Sequence, residues 1–169
     1  MSQIKELLTK QMLDLLDAET QLTQALPKMA EAAQDDELKA AFEAHRSQTE
    51  GHVDRLEQVF KIIGKKAEGK TCEAIMGITK EGDEIAEEYE GSPALDAGLL
   101  AAAQAVEHYE ISRYGTLRTW AEELGLDDAV DLLEQTLQEE KETDEALTEI
   151  AESVVNQEAE EDEEEEESA

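Results

Sequence analysis

Steps of three or four residues along 4–33 pick out Ile4, Leu8, Met12, Leu15, Leu22, Leu26, Met29 and Ala33, and the polar side chain that falls in this row is Glu19. The same stepping along 99–124 gives Leu99, Ala103, Val106, Tyr114, Leu117, Ala121 and Leu124, interrupted by Glu110. Along 38–63, His45, Thr49 and His52 separate Leu38 and Phe42 from Leu56, Val59 and Ile63. Along 130–154, Glu140 and Asp144 separate Val130, Leu133 and Leu137 from Leu147, Ala151 and Val154. Carboxylates gathered on buried faces raise one another's pKa values, and a di- or trivalent cation relieves that cost. Carboxylate oxygen with imidazole nitrogen is the donor set that iron or manganese accepts. Glu19, His52, Glu110 and Glu140 are therefore candidate metal ligands, with Glu107 and Asp144 as further ligands or outer partners. His45, two turns from His52, reads as a satisfied core histidine. His108 points off its row toward solvent, and Tyr114 and Trp120 read as core. With 45 Asp and Glu in 169 residues, one acid in a row says little; four interruptions say more if they meet.

The elements that must position these groups are helices. Apolar periodicity predicts α1 over about Gln3–Ala33, α2 over Asp36–Ile63, α3 over Cys72–Tyr89, α4 over Ala94–Leu124 and α5 over Asp127–Asn156. Asp35 or Asp36 and Asp127 stand where N-caps are needed, and Gly125 where a helix must stop. Short α1–α2 and α4–α5 turns make two antiparallel hairpins. The α2-to-α4 connection is long and carries α3, so the predicted fold is an all-α, ferritin-like four-helix bundle with an extra helix in its crossover. Shifting the first hairpin by 91 residues lays Glu19 on Glu110, Leu26 on Leu117, Asp36 on Asp127 and Leu56 on Leu147. The hairpins are thus expected to be related by a pseudo-twofold. Counted from the turns, all four interruptions lie about 24 Å along their helices, at about 1.5 Å per residue. They should meet at the middle of the bundle.

Composition narrows the partners. The net charge is −31, and the run from Glu158 to Glu167 accounts for only part of it, leaving about −22 on the remainder. Such a surface disfavours nucleic acid and anionic lipid, and it suits strong salt, where repulsion is screened. A halophilic source and an ordinary acidic protein both fit. Residues 1–156 are expected to form the bundle and 157–169 a disordered acidic tail. Cys72 is the only cysteine, which excludes an internal disulfide and suits a reducing cytoplasm. No apolar run is long enough to span a bilayer.

Several longer motifs are similar to a known family. They are Asp17-Ala18-Glu19-Thr20-Gln21-Leu22, Thr49-Glu50-Gly51-His52-Val53-Asp54-Arg55-Leu56, Gly69-Lys70-Thr71-Cys72-Glu73-Ala74, Ala105-Val106-Glu107-His108-Tyr109-Glu110 and Glu139-Glu140-Lys141-Glu142-Thr143-Asp144. Through them the chain, from Ile4 to about Val155, resembles the YciE/YciF-type ferritin-like proteins. The resemblance implies a ferritin-like bundle, a homodimer, a link to stress responses and the label of ferroxidase; with the donor set above, the expected metal is iron, as a di-iron pair or with manganese in its place. Against the general di-iron pattern of paired Glu-x-x-His motifs, α2 offers Thr49-x-x-His52 and α5 offers Glu140-x-x-Thr143. An asymmetric site, a one-metal site and a vestigial site all fit. Two further readings stand beside a ferroxidase: a non-enzymatic stress or interaction bundle with a structural polar layer, and a storage cage.

Overall fold

The computed structural model describes residues 2–160. Helices α1 (Gln3–Ala32), α2 (Asp36–Ile63), α4 (Leu95–Glu123) and α5 (Asp127–Ile150) form the bundle, and α3 (Glu73–Glu88) lies in the crossover against α4 and α1. No strand occurs among the described residues, and none of their helices is long and apolar enough to cross a membrane. The α5 helix loosens into a π-helical turn at Ala151–Val155 and continues through 156–160. The first residues of the expected tail, 157–160, are therefore helical, and the rest of it lies outside the described residues.

Local chemistry explains the boundaries. Asp35 caps α2 by accepting the Leu38 N–H at 2.9 Å. Gly64 and Gly125 end α2 and α4 at φ 69° and 68°, where a side chain would be strained. Asp127 does not cap α5: the cap position falls on Leu126, and Asp127 and Asp128 lie in the first turn, where carboxylates favour the helix dipole. Asp96 is buried in the first turn of α4 and accepts the N–H groups of Gln34 and Asp35 at 2.8 and 2.7 Å. It ties the α1–α2 turn to the second hairpin. Asp96→Ala should cost about 3 kcal/mol, since two charge-assisted bonds are lost and two N–H groups are stranded; a fall in the denaturant midpoint with an unchanged slope would show this.

The crossover is pinned on α1. Asp17 accepts the Cys72 N–H at 2.7 Å, Lys70 pairs with Asp14 at 2.7 Å, and the Cys72 thiol meets the Tyr109 hydroxyl at 3.3 Å. A Cβ at Gly98 would lie 2.5 Å from Ile85 Cγ2, so glycine is what lets α3 seat closely on α4.

The core is split. One apolar cluster, including Leu22, Leu26, Leu38, Phe42, Leu99 and Ile150, fills the end that holds the α1–α2 turn. A second, including Leu8, Met12, Leu56, Phe60, Leu117 and Leu133, fills the end that holds the α4–α5 turn. Between them lie buried polar groups from all four long helices.

Candidate metal centre

Glu19 on α1, His45 and His52 on α2, Glu107 and Glu110 on α4, and Glu140 on α5 are all buried, most of them completely. They form two donor sets. His45, Glu107, Glu110 and Glu140 can each place one ligand atom within 4.8 Å of the others, and so can Glu19, His52 and Glu140. Glu140 belongs to both. Its Oε1 lies 2.8 Å from His52 Nδ1, and its Oε2 lies 3.6 Å from His45 Nε2. Glu107 Oε1 is 3.0 Å from His45 Nε2, and Glu19 Oε1 is 3.5 Å from His52 Nδ1. Spacings of about 3 Å are the edges of a coordination shell whose metal–ligand bonds are about 2.1 Å long.

Buried donors that aim at one another are normally aligned for hydrogen bonding. Here His45 Nε2, His52 Nδ1, Glu19 Oε2 and both oxygens of Glu107, Glu110 and Glu140 have no aligned partner. The close approaches are ionic contacts, and the lone pairs converge on the spaces between them. Oxygen and imidazole donors with no thiolate suit iron(II) or manganese(II). The residues present therefore fit a metal ion.

An outer layer holds these groups in place. His52 Nε2 donates to Glu139 at 3.0 Å, and Arg55 clamps Glu139 with both guanidinium nitrogens, one of them also reaching Thr136 at 3.2 Å. A proton held on Nε2 leaves Nδ1 free to ligate, as in carboxylate–histidine–metal relays. The Tyr114 hydroxyl donates to Glu19 at 2.6 Å and fixes that carboxylate. Contact with Arg55 holds the Glu139 carboxyl below its ordinary range despite partial burial. Glu139→Gln should leave the fold intact but weaken metal affinity about 10–100-fold, the usual cost of losing an outer partner. Competition with a chromophoric chelator would measure it.

The charges settle in a definite pattern. Burial disfavours charge on His45, but contact with Glu107 and Glu140 outweighs it and raises the imidazole to about 10. Burial likewise opposes charge on His52, and contact with Glu140 and Glu19 raises it to about 10. Burial pushes Glu110 far up, reinforced by the charges of Glu140, Glu19 and Glu107. Glu107 rises through burial and its contact with Glu140, partly offset by His45. Burial alone would raise Glu140 too, but Glu107, His45 and His52 together hold it well below the usual carboxylate range. In the metal-free layer these shifts favour charge on Glu140 and on both imidazoles, and the neutral form of Glu107 and Glu110.

Of the six candidates read from the sequence, the structure gathers Glu19, His52, Glu107, Glu110 and Glu140. Asp144 stands apart: it pairs with exposed His108 at 3.1 Å and meets Gln104 on the α4-facing flank. Four residues advance about 40° beyond a full turn, enough to carry it off the face of Glu140. His45, read as a structural histidine, instead faces Glu107 inside the layer. Seven residues fall only about 20° short of two turns, so His45 and His52 share a face. The signal was Glu107, which thickens the layer by one turn on α4. Thr49 occupies the place between the histidines where a carboxylate would sit, and donates to the His45 carbonyl at 2.8 Å.

A family profile described as "Domain of unknown function (DUF892)" matches residues 3–160. The chain belongs to that family. Protein YciF of Escherichia coli (strain K12) is 44% identical over 161 residues, which cover 95% of this chain and 97% of that protein. The crystal structure of the E. coli stress protein YciF superposes with a TM-score of 0.88 at 43% identity, over 92% of this chain and 99% of that one. YcfI from Rhodopseudomonas palustris gives 0.84 at 47% identity, over 87% of this chain and 94% of that one. A Xanthomonas campestris protein at 22% identity gives 0.72, a likeness of fold alone. This is a YciF-type, all-α DUF892 bundle with a buried His/Glu group that could hold a metal ion.

Proposed function

We propose that the chain is an iron-binding, ferritin-like stress-response protein that takes up two iron(II) ions per bundle and oxidises them with oxygen or peroxide. The observation that carries this reading is Glu140, whose two oxygens face two separate donor sets. His45, Glu107 and Glu110 would hold one ion, Glu19 and His52 the other, and Glu140 would bridge them, an asymmetric solution to the missing halves of the Glu-x-x-His motifs. Two iron(II) ions supply two electrons, which with two protons reduce one peroxide to two waters, or one dioxygen to peroxide. The protein's part is to hold the ions together, compensate their charge and exclude bulk water. The stress assignment rests on the E. coli relative, described as a stress protein. A homodimer, expected from the resemblance, belongs to the same reading and is open to light scattering.

Anaerobic loading followed by elemental analysis should find about two irons per chain, against none in apo-protein treated with chelator. Mixing with peroxide should then give iron(III) absorbance at the rate of peroxide loss. A protein that emerges metal-free from anaerobic loading sinks the reading. A second reading has its own observation: two imidazolium rings already balance charge in the metal-free layer. It makes the layer a structural feature of a non-enzymatic bundle, and predicts full stability in chelator and no iron-dependent oxygen consumption.

A further inference from the structure

A cleft of about 210 Å³ opens between α2 and α5 on the surface of the bundle and reaches inward to His45. Its walls are mainly methyl groups, with Ala41 and Ala44 on α2 and Ala146 on α5. Gln48 and Thr143 face each other at its edge, joined by a hydrogen bond from the Thr143 hydroxyl at 3.2 Å. Glu142 is the one carboxylate that lines it. Among the ligands proposed above, His45 is the one that lines the cleft. His52 is fully buried, and its outer nitrogen is closed off by Glu139 and Arg55.

We infer that this cleft is the route by which a small neutral molecule of dioxygen or peroxide size reaches the His45 half of the centre. The inference rests on the metal-binding reading above and adds direction to it: the ion held by His45, Glu107, Glu110 and Glu140 meets the oxidant, while the ion held by Glu19 and His52 is enclosed. Size argues for a small visitor, since pockets for ordinary organic ligands run to about 300–1,000 Å³. Wall chemistry argues for a neutral one. A divalent transition-metal cation gives up its water shell to oxygen or nitrogen donors, and the alanine methyls that make up most of the wall supply neither. An anion would have to approach a chain of net charge −31 past Glu142.

The test plugs the cleft without touching a ligand. Ala44 and Ala146 are exposed on their helices, and leucine is a good helix former, so Ala44→Leu/Ala146→Leu should keep the fold, checked by circular dichroism. Nitric oxide serves as the neutral probe, mixed anaerobically with iron(II)-loaded protein and followed by the ferrous-nitrosyl absorbance. Its association rate should fall about tenfold or more in the plugged variant, because the probe must wait for the walls to part. Iron stoichiometry and the rate of cobalt(II) uptake should match the parent protein. Gln48→Ala, which opens the rim, should raise the nitric oxide rate. An unchanged nitric oxide rate in the plugged variant overturns the proposal, and so does cobalt(II) uptake slowed in parallel, which would make the cleft the route of the metal. If the unsubstituted protein takes up neither iron nor cobalt, the metal-binding reading fails first and this proposal with it. If it binds both but plugging changes nothing, the route alone is wrong.

Discussion

Glu140→Gln should abolish binding at both metal positions, while Glu19→Gln should spare the one built on His45. Glu140 is the only side chain shared by the two donor sets, and an amide oxygen cannot supply the bridging charge. Affinity should drop by more than the roughly 100-fold that an outer partner costs, read as iron or cobalt retained after gel filtration. The metal-free protein adds a second, opposite contrast. In it Glu140 contacts both buried imidazolium rings; His52 keeps Glu19 and Glu139 when Glu140 is lost, but Glu140→Gln leaves the His45 charge without an ionised partner and should cost about 3–5 kcal/mol. Glu110 is the reverse case. Its carboxyl is forced to stay protonated far above the usual range, by burial first and neighbouring carboxylates second. Above about pH 4.5 the unfolded chain sheds that proton and the folded chain does not, so stability falls as pH rises. Glu110→Gln removes that penalty while keeping the shape. Metal-free E110Q should be more stable than the parent at pH 7, by on the order of 1 kcal/mol, and not at pH 4. Urea titrations at the two pH values decide it; equal losses for E140Q and E110Q at pH 7 would mean that the charge pattern is wrong.

Metal uptake should expel protons and tighten steeply with pH. His45 and His52 are each raised to about 10, burial being outweighed by their carboxylate neighbours. Both are charged at neutral pH, and both must lose a proton to ligate. Each displaced proton makes affinity about tenfold stronger per pH unit, so two imply about 100-fold between pH 6.5 and 7.5. The protons on Glu107 and Glu110 add to this. Calorimetry in buffers of different ionisation heat counts the protons directly, and a count below two would show that the imidazoles are neutral beforehand. The stability of the metal-free protein follows the opposite course. Because both imidazoles are raised, their contribution is complete below about pH 6.5 and is lost as pH rises toward 10. Metal-free protein should therefore weaken across that window, and loaded protein should not.

Helix positions and the meeting level of the polar groups were legible in the sequence because both depend on periodicity and on distance from a turn. Five ranges read from apolar spacing agree with the observed helices to within a residue or two at most ends. Counting back from Asp36 and Asp127 to Glu19 and Glu110, and forward from them to His52 and Glu140, placed the four at one level. What escaped lies on flanks rather than faces. Glu139 is adjacent to Glu140 and looks like one more surface acid among 45. Its role appears only when Arg55 and His52 reach it from α2. Asp96 and Asp17 were invisible for a similar reason. Each satisfies backbone N–H groups of a turn or linker more than fifty residues away in sequence, and periodicity carries no record of that. Asp144 was the converse error, a residue near the right row but turned to the wrong side.

Two hydrocarbon ends joined through a charged middle invert the usual pattern of helix motion. A helix ordinarily frays from its tips, where packing is thinnest. Here an apolar cluster packs the end of the bundle beneath the α1–α2 turn and another the end beneath the α4–α5 turn, and the metal-free waist between them holds Glu110 and Glu107 without aligned partners. Backbone amides near Glu19, Thr49, Glu110 and Glu140 should then exchange with solvent deuterium sooner than those near Leu26 or Leu117. Loading the centre should erase the difference. The bundle would be two firm grips on a soft waist, which bound metal makes rigid.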